Sequence, residues 1–126
     1  MKKEIIHTDQ APAAVGAYSQ AVKAGDTVYL SGQIAIDPET QKIIDGGVKK
    51  QAKRVLENLK AVLAAADCTF KDVVKTEIFL DDINDFSAVN DVYAEYFTEE
   101  PPARACVEVG SLPKGVAVEI SVIAVK

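Results

Sequence analysis

The run Val116-Ala117-Val118-Glu119-Ile120-Ser121-Val122-Ile123-Ala124-Val125 decides the fold. It is rich in Val and Ile and free of glycine and proline, which reads as a strand. Both alternating faces are apolar except at Glu119 and Ser121, the pattern of a strand covered on two sides. A carboxylate inside such a run needs a partner or a task, because an unpaired buried charge is costly. Just upstream, Pro101 and Pro102 end one segment, and Ala103-Arg104-Ala105-Cys106-Val107-Glu108-Val109 reads as a second strand. Arg104 heads it, one of two arginines; the other basic residues are lysines. The expectation is that the rest of the chain is a scaffold bringing Arg104 and Glu119 close together.

Moving outward, residues 3 to 8 alternate weakly, as a short edge strand would. Ala11 to Gly16 is a loop. Ala17 to Lys23 and Thr27 to Ile34 read as the arms of a hairpin turned at Ala24-Gly25-Asp26. Gly32, inside the second arm, signals a bulge or a close backbone approach. Residues 36 to 45 are an irregular excursion. From Val48 the apolar period changes: Val48, Ala52, Val55, Leu56, Leu59 and Val62 line one face of a helix ending near Asp67. Val73 to Leu80 is a strand. Asn84 or Asp85 is the candidate cap of a second helical stripe through Phe86, Val89, Tyr93, Tyr96 and Phe97. The order β–β–α–β–α–β–β predicts an α+β domain spanning residues 1–126, a mostly antiparallel sheet with two helices on one face. Helices on one face leave the other face of the last strand bare. Closed symmetric self-association is the expected cover.

The chain has 126 residues, 48% of them hydrophobic and 26% charged, with a net charge of −5 and a pI near 4.8. This is globular composition. The negative balance disfavours broad binding to nucleic acid or anionic membrane. No apolar run suits a transmembrane helix, and the N-terminus lacks the apolar stretch of a signal peptide, so cytoplasm is the expected compartment. Cys68 and Cys106 read as two free thiols. One histidine, His7, cannot build an ordinary zinc site or a Ser-His-Asp set, so no metal is expected. The glycines form no nucleotide-binding pattern.

Arg104 offers a planar fork that grips a carboxylate or phosphate bidentately; the competing reading is an ion pair with Glu108 or Glu119. Glu119 suits a general base or water-orienting group, or else a structural partner for a lysine or Arg104. Cys106 shares the face of Arg104 by strand parity. It is a nucleophile only if its thiolate is stabilised, and otherwise a small apolar filler. Tyr18, Ser31 and Asn90 are polar groups on apolar elements, each a ligand or a satisfied core or cap residue. Composition and spacing reach a small oligomer with an Arg/Glu pair suited to a small anionic ligand.

Five separated blocks carry more. Ala11 to Ala21, Leu30-Ser31-Gly32-Gln33-Ile34, Asn84-Asp85-Phe86 with Val89-Asn90, Pro102 to Val109, and Leu112-Pro113-Lys114 with Val118-Glu119-Ile120 resemble the reactive intermediate deaminase family, also called YjgF or Rid. The resemblance runs in order from about Thr8 to the C-terminus, and is greatest to the archetypal 2-iminobutanoate/2-iminopropanoate deaminase branch. It implies a chorismate mutase-like fold and a homotrimer with a central β-barrel and active sites between subunits. The implied reaction hydrolyses 2-aminoacrylate and the imines 2-iminopropanoate and 2-iminobutanoate to 2-oxo acids and ammonia. Such substrates arise from pyridoxal-phosphate dehydratases, but no cofactor is needed here. Arg104 then matches the residue holding the substrate carboxylate and Glu119 the one positioning the water. Backbone near Cys106 would bind the nitrogen, and Tyr18, Ser31, Gly32 and Asn90 match pocket positions, Tyr18 from a neighbouring subunit. Ala105 stands where serine is frequent, Ser121 where a second acid is often found, and the loop at 98–102 is short. Endoribonuclease activity, reported in some relatives, and a non-enzymatic role as metabolite-binding regulator or chaperone-like holdase are the alternatives.

Overall fold

The computed structural model describes residues 2–126. Among them six strands form one sheet in the order β1-β2-β3-β8-β6-β7. These are β1 Lys3–Ile6, β2 Ala21–Ala24, β3 Thr27–Gln33, β6 Val73–Leu80, β7 Ala103–Glu108 and β8 Val118–Val125. The excursion contains a small hairpin of its own, β4 Ile36–Asp37 with β5 Lys42–Ile43. Every pairing in the large sheet is antiparallel except β6 with β7. That pair is parallel because a helix joins the two strands, and a parallel connection needs a crossover.

The helices are α1 Val48–Ala65 and α2 Phe86–Tyr93. The apolar stripe of α1 buries Val55, Leu56, Leu59, Val62 and Leu63 against the sheet. Its end is a Schellman motif: the Cys68 amide donates to the Leu63 carbonyl at 2.8 Å and the Asp67 amide to that of Ala64 at 3.0 Å. Asp67 takes the left-handed φ of 59° that the motif requires. The second stripe is a shorter helix than its periodicity suggests. After Tyr93 it continues as tight turns in which the Tyr96 and Phe97 amides both reach the Tyr93 carbonyl. Neither expected cap residue acts through its side chain; Asp82 accepts from the Asn84 amide at 2.9 Å instead.

The hairpin turns where expected, with Gly25 at φ 62° and Ala24 paired to Thr27. Its first arm is shorter, starting at Ala21 rather than Ala17. The reason lies in Gln20, whose side chain is 2% exposed and is committed to the preceding loop. It accepts from the Thr8 amide at 2.7 Å and donates to the carbonyls of Thr8 at 2.9 Å and Pro12 at 2.8 Å.

Strand β8 is central, but it is covered on one side only. Val118, Ile120, Val122 and Ala124 are fully buried beneath the helices, whereas Glu119, Ser121 and Ile123 are half-buried and Val125 is exposed. The other face of the sheet is open in the single chain. An apolar row crosses it through paired positions, Ile5 beside Val22, Val22 beside Tyr29, and Tyr29 beside Ile123. Tyr29 is 51% exposed there.

Candidate functional site

Arg104 lies on β7, the edge strand, opposite Thr76 of β6. Thr76 is buried on the helix side, so Arg104 emerges on that side too. Phe86, Asn90 and Tyr93 meet it from α2, where spacings of four and three place them on one face. The guanidinium Nη1 donates to Asn90 Oδ1 at 2.8 Å, and its carbon lies 5.2 Å from the Phe86 ring centre and 4.9 Å from that of Tyr93. Among the described residues the ion pairs are His7–Asp9 and Lys49–Asp91, so no carboxylate neutralises Arg104. Glu108, one expected partner, accepts from the Ile83 amide at 2.9 Å instead. A concavity of about 450 Å³ opens beside the guanidinium, walled by Ala94, Phe97, Pro101 and Pro102.

Glu119 lies on the other side of the sheet. Its strand partner on β6 is Phe79, which has the opposite parity to Thr76. The scaffold therefore does not bring Arg104 and Glu119 together within one chain. It places them on opposite faces, because strand parity fixes the face and β6 separates their strands. Glu119 faces a second concavity of about 440 Å³, lined also by Tyr18, Ser31, Gly32, Ile34 and Lys114. Burial without a cationic partner pushes the Glu119 carboxyl above its ordinary value.

The bulge expected at Gly32 is present, as the pairing of β3 with β8 shifts register between Leu30 and Gln33. The close approach is present as well: a Cβ built on Gly32 would lie 2.9 Å from Cδ of Glu119. Ser31 ties this bulge to the loop, its hydroxyl donating to the Ser19 carbonyl at 2.6 Å and its amide to that of Gln20 at 2.9 Å. Tyr18 is half-exposed, and its hydroxyl accepts from the Val15 amide at 3.3 Å.

The seven expected residues thus fall into two groups. Arg104, Asn90 and Cys106 share the helix side, Cys106 being paired to buried Ile78. Tyr18, Ser31, Gly32 and Glu119 share the open side. Burial pushes the Cys106 thiol up, and the Arg104 charge only partly offsets this. The thiol form is therefore favoured, which disfavours the nucleophile reading. Among the described residues no three His, Cys, Asp or Glu side chains cluster to hold a metal ion.

Four participants escaped sequence reasoning. Gln20 anchors the loop carrying Tyr18, yet nothing in its run singles it out. Phe86 and Tyr93 read simply as core, and a helical stripe gives no sign of a guanidinium resting on it. Lys114 enters the Glu119 cavity at φ 57°, which a Pro-Lys-Gly turn only hints at.

The architecture and the two half-sites define a class: small α+β chains with an arginine paired to no acid on one sheet face and a desolvated carboxylate on the other. The chain belongs to the Rid/YjgF family, whose model, described as Endoribonuclease L-PSP, matches residues 8–126. It is 52% identical over 126 residues to a RutC family protein of Pyrococcus abyssi, covering 100% of this chain and 99% of that one. It is 51% identical over 124 residues to the 2-iminobutanoate/2-iminopropanoate deaminase of Rattus norvegicus, covering 98% and 90%. The crystal structure of E. coli TdcF with bound serine superposes with a TM-score of 0.93 at 44% identity, covering 98% of each chain.

Proposed function

We propose that this protein hydrolyses 2-imino acids and their enamine tautomers, such as 2-aminoacrylate, to 2-oxo acids and ammonia. One observation carries the reading: the Arg104 guanidinium is fixed in place, and among the described residues no acid neutralises it. A fixed, unpaired arginine is a carboxylate receptor in waiting. The half identity to a deaminase from rat and the serine bound by TdcF point to the same kind of ligand.

The chemistry asks little of the protein. The protonated imine carbon is already electrophilic, so water serves as nucleophile. Arg104 holds the substrate carboxylate, and the Glu119 carboxylate takes a proton from the attacking water, giving a carbinolamine. The proton passes to nitrogen, the C–N bond breaks and ammonia leaves. The hydroxyl loses its proton as the 2-oxo acid forms. Positioning and charge stabilisation supply the rate. Tyr18, Ser31, Gly32 and Asn90 wall the pocket, and backbone near Cys106 meets the nitrogen.

Because Arg104 and Glu119 lie on opposite faces of one sheet, this reaction needs two chains. We take the assembly to be a homotrimer whose three sheets close into a barrel and whose sites lie between subunits. The open face supports it, since its row from Ile5 to Ile123 is an apolar surface that a neighbouring copy would cover. A cytoplasmic setting alongside pyridoxal-phosphate dehydratases would supply the substrate.

The test couples a serine dehydratase, which releases 2-aminoacrylate, to the appearance of pyruvate. Native protein should accelerate pyruvate formation and Arg104→Ala should not. No acceleration by folded native oligomer would sink the reading.

A further inference from the structure

Arg104 has a long, flexible side chain on an edge strand, where nothing in its own strand restrains the headgroup. Left free, it would have to be ordered each time an anion bound, at the expense of affinity. Of its three supports on α2, Tyr93 is the most firmly held. It is 5% exposed and stacks on Phe97, ring centres 4.4 Å apart. Its hydroxyl lies 2.9 Å from that of Thr76, which is wholly buried. Thr76 is also the residue beside Arg104 across the β6–β7 ladder. One residue thus fixes both ends of the arginine: Thr76 stands next to its backbone, and through Tyr93 it fixes the ring beneath its headgroup. Packing alone does not require this pair, because valine fills the threonine site and phenylalanine the tyrosine site. The hydroxyl pair sets where the ring lies. A guanidinium lying over that ring keeps N–H groups free for a carboxylate.

We propose that Tyr93, pinned by Thr76, is the positioning residue that aims the Arg104 guanidinium at its ligand. This rests on the reading of Arg104 as carboxylate anchor. The test compares Tyr93→Phe, Thr76→Val and the double variant with the native oligomer. Three quantities are read: the Kd for 2-oxobutanoate, the split between KM and kcat in the coupled assay, and the Nε–H resonance of Arg104. That resonance is assigned by its loss in Arg104→Lys, the only other arginine being Arg54.

Each single variant should weaken 2-oxobutanoate binding and raise KM by roughly three- to ten-fold, the effect of one misplaced hydrogen-bonded group. It should leave kcat within about two-fold, because the lost binding is shared by ground and transition states. The Arg104 resonance should shift or broaden in each. The double variant should lose no more than the worse single, since the two hydroxyls act as one unit. Additive losses would overturn the proposal. So would a lowered Tm with Kd, KM and the resonance unchanged, which is what a merely structural pair would give. Should the native protein leave imines untouched, the proposed reaction falls, and the resonance alone still decides whether Tyr93 aims Arg104.

Discussion

Arg104 and Glu119 stand on opposite faces of one sheet, with β6 between their strands. Arg104 is on the face that α2 covers, and Glu119 is on the face left open. No side-chain rotation brings them together, because parity along a strand decides the face and the sheet backbone lies between. A reaction using both must draw them from different chains, and each contact between neighbours would join one chain's arginine to another's glutamate.

Complementation tests this directly. Arg104→Ala and Glu119→Gln are each expected to be inactive as pure oligomers. Denatured together in equal amounts and refolded, they should regain activity. In a ring with head-to-tail contacts, a competent site needs the Glu119→Gln chain to lend its arginine and the Arg104→Ala chain its glutamate. Random mixing makes about one contact in four competent, so about a quarter of native activity should return. A mixture as inactive as its components would place the whole site within single chains.

Glu119 also sets a pH dependence. Burial raises its folded pKa above the unfolded value. Between the two values the native state holds the extra proton, so stability is greatest below the unfolded pKa and falls as pH rises through the folded one. At neutral pH the charged carboxylate is therefore a cost to the fold of the single chain. Glu119→Gln should raise Tm at pH 7, with the gain disappearing at acid pH. The same substitution should lower kcat by about 10²- to 10⁴-fold, the usual contribution of a proton-transfer group. Melting curves and rates across pH 4 to 8 check both halves. Equal Tm at every pH would mean that the carboxylate carries no desolvation penalty.

Gln20 should matter as much as many core residues. Gln20→Leu would leave the Thr8 amide and the Thr8 and Pro12 carbonyls without their partner. A buried orphan costs about 1–3 kcal/mol, and the two Thr8 groups, which are part-buried, recover some of that from water as the loop loosens. A loss of about 2–3 kcal/mol in urea unfolding is expected, together with faster proteolysis between Thr8 and Ser19. Since that loop carries Tyr18, KM should rise as well. Unchanged stability would show that the loop is held by other means.

How much of this was legible in the sequence depended on whether the signal was periodic. Strand β6 was readable end to end at Val73 and Leu80, and α1 almost so, because their apolar spacing is strict. Gly32 was readable as a bulge because glycine in a strand has few other reasons to be there. The two faces of β8 are legible as a pair, since two helices can cover only one of them, but not what covers the other. Glu119, Ser121 and Ile123 look like one apolar side interrupted twice, yet that side is bare in the single chain. An oligomer interface and a buried core have the same composition, and a sequence does not say whose atoms do the burying. Arg104 and Glu119 lie on opposite faces for a reason the sequence does not carry. Parity within each strand was readable, but relative parity between β7 and β8 depends on the register of the intervening β6. Nor could Gln20 be found, since its value lies in three loop groups that no local pattern connects to it.

Gly32 offers the sharpest test of how Glu119 is set. Its φ lies outside the left-handed region, so alanine meets no backbone strain there. Any effect must come through the added methyl, which would sit 2.9 Å from Cδ and 3.1 Å from Cγ of Glu119. Real side chains do not approach so closely, so the carboxylate must swing away, and the bulge that carries Gly32 is tied down by Ser31 and yields less readily. Gly32→Ala should therefore fold, assemble and bind 2-oxobutanoate through Arg104 while losing at least about ten-fold in kcat, the scale of a misplaced catalytic group. Its crystal structure should show Glu119 in a different rotamer. Combined with Glu119→Gln, the alanine should cost almost nothing further, because the group it displaces no longer acts. If the two losses multiply instead, Gly32 acts on the reaction by a route of its own, with its backbone amide the first candidate.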